Sequence, residues 1–461
     1  MDCYAVLVSA STYDKPEWRA VADALMSKYE GTKLCVVPSL MDCAAALRDS
    51  QARYAAVVAS PEEIDYKLVN ELHRATRKVD ADIWGDCIWG LITGYDACDA
   101  LRIAQHTEPK IIKRSLETTN VNPARFEHSL TITDWAPCEI MAQSGYQEAP
   151  KQTITLEEGM QHLFAQELAK EKPDIVITSA HATEFNLEMP FGEGLIYSYA
   201  NRFYELKKGE MPQFSAALKP AREGEEANLS QLASSNPERV IEPDGQCRIW
   251  LAAGNCLFGH ANRSKNSMAV TAASAYGAHQ IVGYTVPSWY GDGGWGTLNS
   301  FFSSYDGISL SHAWYLNNQF ILKKSRDINP KILDAEFNGE EIKDGKDIAL
   351  ALYNAGLAIE AIDKDAIGVV HDRDVVAFYG DPKWLATLDA EHAPTGLTVS
   401  EQGQVLVLRA SSDFKGRFAY WYSKRMPVTS CNVEGAEVTN DFILLPSLEL
   451  KAGGEIIISL Q

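Results

Sequence analysis

The chain has 461 residues, 42 basic against 62 acidic side chains and a net charge of −20. That balance excludes a phosphate-seeking surface, and with it nucleic acid as a partner, because such affinity comes mainly from Lys and Arg neutralising phosphates. No apolar run approaches the ~18 residues needed to span a bilayer, and a composition 46% hydrophobic and 23% charged is that of a globular chain.

At roughly 100–200 residues per domain the length predicts two to four domains. Strand-like runs at Tyr4–Val8, Lys33–Val37, Tyr54–Ala59 and Ile88–Thr93 alternate with helix-period stretches at Pro16–Lys28, Ile64–Arg77 and Asp96–Gln105. That alternation predicts βαβ units and a parallel sheet. Residues Val121–Pro150 carry three prolines and read as an irregular connection. A second alternating block has a helix over Thr155–Lys170, strands at Ile175–Thr178, Arg248–Ala253 and Gln280–Val286, and a small-residue helix at Met268–Tyr276. Residues 205–246 are charged and read as a surface insertion; Lys346–Ile362 reads as one long helix before a strand at Val375–Tyr379. Beyond about residue 386, short strands separated by Gly, Pro, Asn or Asp suggest a small antiparallel β-sandwich. The expected division is 1–145, 146–385 and 386–461. The nine cysteines show no C-x-x-C pair, and most read as small buried hydrophobes.

P-loop, H-E-x-x-H and G-x-S-x-G motifs are absent. Gly291-Asp292-Gly293-Gly294-Trp295-Gly296 matches G-x-G-x-x-G, but Pro287-Ser288-Trp289-Tyr290 separates it from its strand, so it reads as a loop rather than a dinucleotide site. Trp289 and Trp295 flanking Asp292 in that loop are placed to stack on a peptide or sugar. Two strand ends carry the stronger signal. Ile175–Thr178 runs into Ser179-Ala180-His181, and Trp250–Ala253 runs into Gly254-Asn255-Cys256. Parallel sheets place chemistry beyond the carboxyl ends of their strands, and a thiol beside a histidine becomes a nucleophile. The bland alternative is a hydrogen-bonded loop histidine and a buried thiol.

Several ordered segments resemble the gingipain-like cysteine peptidases of the caspase-like fold. They are Asp86-Cys87-Ile88-Trp89-Gly90-Leu91-Ile92-Thr93-Gly94, Ile175–His181, Ile249–Cys256, Ile281–Trp289 and Val376–Pro382. The resemblance implies α/β parallel-sheet subdomains followed by an immunoglobulin-like sandwich. It also implies Cys256 as nucleophile, His181 as general base and acid, and the N–H groups of Ala182 and Cys256 as oxyanion hole. Asp86 then falls where the arginine-specific members place their pocket carboxylate, with Trp289 as aromatic wall, which suits Arg or Lys before the scissile bond. Asp86 as a capping or turn residue is the alternative. The implied partner is a protein or peptide substrate, glycoproteins included, in a secreted or periplasmic setting with the signal peptide outside this numbering; a cytoplasmic setting stays open. No cofactor is required. Calcium is seen in related peptidases and the acidic charge permits it, but no EF-hand-like loop marks a site.

The family usually has Gly where this chain has Ala182, and if that position needs φ > 0 a Cβ costs about 1–2 kcal/mol. A non-catalytic protein- or glycan-binding member of the same fold is therefore one rival reading. The other is a zinc-dependent hydrolase: Cys256 and His260, four apart, share a face if a helix starts there, and His181 supplies a third ligand.

Overall fold

The computed structural model describes residues 3–210, 223–336 and 345–461. Its centre is a twelve-stranded sheet in the order Lys33–Val37, Tyr4–Ser9, Tyr54–Val58, Ile88–Ile92, Val376–Gly380, Ala278–Tyr284, Arg248–Ala252, Ile175–Thr178, Arg114–Glu117, His128–Ile132, Glu139–Ser144, Lys151–Thr153. The inner strands are buried at every residue. Strands covered on both faces need continuous apolar runs, which is why they were readable as such. The architecture is α/β with a parallel-dominated sheet, as expected.

The sheet is two parallel blocks fused head to tail. Val376–Gly380 runs parallel to Ile88–Ile92 on one side and antiparallel to Ala278–Tyr284 on the other. The carboxyl ends of Ala278–Tyr284, Arg248–Ala252 and Ile175–Thr178 therefore share one edge with the amino end of Val376–Gly380, where Tyr284 pairs with Val376. Helices start where caps allow. Pro16–Lys28 begins on its own proline, Asp65 caps Tyr66–Thr76 through the Leu68 N–H, and Ser309 caps Leu310–Ile328 through the His312 N–H.

Four expectations are corrected. Residues 121–150 are not a plain connection, since His128–Ile132 and Glu139–Ser144 extend the main sheet. These strands and Arg114–Glu117 bury Ser115, Glu117, Ser129 and Thr131, so their polar residues hide the pattern. Lys346–Ile362 is not one helix: Gly345–Asn354 ends before Gly356, which adopts φ +88, and Lys364–Asp372 begins anew on an Asp363 cap. The glycine-rich segment is only partly a loop, because Gly294–Ser303 is helical.

The insertion at 205–246, part of which lies outside the described residues, is more than a solvated surface. Arg202–Leu206 and Val240–Ile241 complete a four-stranded sheet with Asn186–Glu188 and Leu195–Tyr199. Leu229 packs there in a small separate core with Phe185, Leu195, Tyr197 and Leu206.

The C-terminal residues form two three-stranded antiparallel sheets, Leu397–Gln402/Val405–Ala410/Glu455–Ser459 and Phe414–Trp421/Phe442–Leu450/Glu437–Val438. They dock on the main sheet through Arg53, whose Nε donates to Asp441 Oδ1 at 2.7 Å and whose guanidinium lies 4.3 Å over Trp421. Among the described residues no helix is long and apolar enough to cross a membrane.

Candidate active site

Register brings the two candidate residues to the same edge. Ile175–Thr178 pairs in parallel with Arg248–Ala252, ending on Thr178↔Ala252, so the segments ending in His181 and Cys256 leave adjacent strands together. The loops are then tied to each other. Asn255, fully buried, donates from Nδ2 to the Ala180 carbonyl at 3.0 Å, and the Gly254 N–H reaches the Thr178 carbonyl. Gly254 is required by this approach: a Cβ there would lie 2.2 Å from Ser179 Oγ and 3.1 Å from Trp295 Nε1. Thr118 holds the far side, donating from Oγ1 to the Ser179 carbonyl at 3.1 Å.

Strain sits beside both residues. Ala180 adopts φ +149 and Leu257 φ +58, each one residue from His181 or Cys256. Such conformations cost about 1–3 kcal/mol each for a residue with a Cβ and persist only where neighbours over-determine them. Ala182 has no positive φ. The cost expected at the Gly-to-Ala departure therefore does not arise there.

His181 is exposed and begins a narrow antiparallel bridge in which Ala182 opposes Leu187. The bridge uses the Glu188 N–H to the His181 carbonyl and the Thr183 N–H to the Asn186 carbonyl, leaving the Ala182 N–H outside the ladder. Positions 181 and 188 oppose each other, so their side chains share a face. Glu188 is half-buried; burial raises its carboxyl above the ordinary range and the charge of His181 opposes that rise. Glu188 is thus a carboxylate set against the histidine. Its strand also belongs to the small sheet that the insertion completes, so the insertion braces the histidine loop.

Cys256 is half-buried in a turn, not a helix. The Ser288 N–H points at its Sγ at 3.3 Å, and Ser288 Oγ, 3.5 Å from the sulfur, donates to the Gly254 carbonyl at 2.7 Å. Ser288 thus orients the thiol and fastens its loop. The next residue, Trp289, is 45% exposed and stacks on His371 with centroids 4.9 Å apart. His371 Nδ1 meets Asp372 Oδ1 at 2.9 Å, and Asp372 Oδ2 accepts from Tyr284 OH and the Gly293 N–H. Trp289 is therefore held in place one residue beyond the serine that touches the sulfur. Trp295 and Asp292 line an adjoining groove of about 410 Å³, but Asp292 already pairs with Lys324 at 2.9 Å, so its charge is engaged within the chain.

Asp86 is placed elsewhere. The Ile88–Ile92 strand it precedes lies three places from Arg248–Ala252, or about 14 Å at ~4.8 Å per strand. Its carboxyl is raised to about 8 by burial and by Asp80, Asp82 and Asp441, with Arg425 opposing. Asp86 thus precedes a strand other than the two that deliver His181 and Cys256. The three residues of the zinc alternative are not grouped among the described residues. Residues 256–259 form a turn, and both nitrogens of His260 are buried without a partner among the described residues while its ring packs on Tyr66. Burial lowers His260 to about 4. Among the described residues, the groups of three whose ligand atoms lie within 4.8 Å do not include His181, Cys256 and His260.

Asn255, Glu188, Ser288 and His371 were not assigned from sequence. Glu188 and His371 carry no local signal, since a bridge register and an 82-residue separation from Trp289 decide their places.

Fold and site together define an α/β protein with a cysteine and a histidine at adjacent parallel-strand ends. No protein-family model matches the chain, and no curated protein matches it at the sequence level. Among solved structures, the complex of Porphyromonas gingivalis RgpB pro- and mature domains is similar, with a TM-score of 0.40 and 10% identity over 99% of this chain and 93% of that one.

Proposed function

We propose that this chain is a cysteine endopeptidase acting on protein substrates through Cys256 and His181. The observation that carries the reading is the side-by-side delivery of the two residues, with Asn255 holding the histidine loop by the strained Ala180 carbonyl. In this reading His181 accepts the thiol proton as Sγ attacks the scissile carbonyl carbon. The oxyanion is held by the N–H groups of Ala182 and Cys256. His181 then returns the proton to the leaving amine, giving a thioester, and takes a proton from the water that hydrolyses it, so the thiol is regenerated with the acid product. Glu188 orients and balances the imidazolium between these steps. Trp289 forms the wall for the residue preceding the scissile bond. A secreted or periplasmic setting belongs to the same reading.

Cys256→Ala tests it. Cleavage of a fluorescence-quenched denatured casein should fall at least about 10³-fold with the melting temperature retained, because the nucleophile cannot be replaced by binding alone. Unchanged hydrolysis by that variant would remove Cys256 as the nucleophile and overturn the proposal.

A further inference from the structure

The opposite end of the same strands holds a second cluster. Cys247 immediately precedes the Arg248–Ala252 strand, His279 lies at the start of Ala278–Tyr284, and His106 follows the Ala97–Gln105 helix. Their ligand atoms all lie within 4.8 Å of one another. We propose that His106, Cys247 and His279 form a three-ligand site for a divalent transition ion of the zinc class, distinct from the Cys256 edge.

Spacing, orientation and charge carry this. Bonds of about 2.0–2.1 Å to nitrogen and 2.3 Å to sulfur in a tetrahedron put N and S about 3.5 Å apart, and His106 Nε2 lies 3.5 Å from Cys247 Sγ. His279 Nδ1 meets the Gly277 carbonyl at 2.8 Å, which leaves Nε2 with its lone pair facing the cluster. A metal-bound histidine is ordinarily fixed this way through its other nitrogen. The His106 ring has a backbone hydrogen bond with Glu108, and the Glu108 carbonyl is itself held by Trp384 Nε1 at 2.7 Å. Trp384 packs on both rings, with centroids 5.5 and 5.7 Å away. One thiol and two imidazoles are the borderline-soft set that selects zinc and its neighbours over calcium or magnesium.

The surrounding cations are matched. Lys28 pairs with Asp381 at 2.7 Å, Lys110 with Asp174 at 2.5 Å, and Arg248 with Asp244. Arg102 faces the cluster directly, with Nη1 3.5 Å from His279 Nε2 and Nη2 on the carbonyls of Ala273 and Ser274. Asp99 and Cys247 are the negative groups it feels. Entry of the ion displaces Nη1 from that lone pair and releases the thiol proton to water, leaving Arg102 beside the thiolate.

Cobalt(II) is the probe, because thiolate ligation gives a near-ultraviolet charge-transfer band that oxygen ligands do not. The full chain, reduced and treated with chelator, should take up one Co(II) with that band. Zn(II) should bleach it stoichiometrically. Cys247→Ser should lose the band, and the partly exposed His106→Ala, which leaves the thiol and the core intact, should weaken Co(II) binding at least tenfold. A Cys256→Ser chain should keep the band. Absence of a band at equimolar Co(II), or its survival in folded Cys247→Ser, would overturn the site.

Discussion

Asn255 offers the sharpest test of how the two loops are held. Asn255→Leu keeps the volume and removes the Nδ2 bond to the Ala180 carbonyl. Orphaning that carbonyl costs about 1–3 kcal/mol. Two terms oppose the loss. The Asn255 Oδ1 is buried without a partner among the described residues, so its removal returns a similar amount. Ala180, at φ +149, relaxes from a conformation worth about 1–3 kcal/mol. The two returns together at least match the loss, so stability should not fall. The geometric consequence is larger, because the histidine loop is no longer pinned to the cysteine loop. A displacement of about 1 Å costs on the order of 10²-fold in rate, or about 2.7 kcal/mol of barrier. Casein hydrolysis and the rate of Cys256 alkylation by iodoacetamide, mapped by mass spectrometry, should both fall while the melting temperature does not. Hydrolysis within threefold of the parent would refute the clamp, as would a fall in activity matched by loss of the fold.

Two further outcomes follow from particular side chains. Glu117 is wholly buried and its carboxyl is raised from 4.5 to about 8, by burial first, against the hydrogen bonds of Thr131 and Ser115. The folded chain thus keeps a proton that the unfolded chain loses, so this contribution is full below about pH 4.5 and lost as pH rises through about 8, with an upper bound of about 5 kcal/mol. Melting of Glu117→Gln between pH 5 and 9 should show a flatter decline than the parent, and parallel curves would contradict the assignment. Trp289→Ala removes an exposed indole from its stack on His371; KM for casein should rise several-fold with little change in melting temperature, and an unchanged KM would take Trp289 out of the substrate wall.

The strands that deliver the candidate residues were legible because they are buried on both faces. Ile-Val-Ile-Thr and Ile-Trp-Leu-Ala leave no solvent-facing positions to confuse the pattern, and the turn residues after them mark where the sheet ends. Arg114–Glu117 was not legible, because Ser115 and Glu117 are buried polar groups that only their partners across the sheet explain. The glycine-rich segment misled for a related reason. Gly294 starts a helix yet must be glycine, because a Cβ there would lie 2.1 Å from the Ala253 carbonyl oxygen, a contact between segments some forty residues apart.

By itself the sequence determined the alternation of elements, the strand ends at His181 and Cys256, and the change of texture near residue 386, since each depends on local periodicity and turn chemistry. Tertiary structure alone decided that Glu188 faces His181, that Ser288 orients the Cys256 sulfur, that the strand after Asp86 lies three places from the one that delivers Cys256, and that His106, Cys247 and His279 converge. Those relations are set by strand order and register, and a side-chain pattern of period two is the same whichever neighbour the strand chooses.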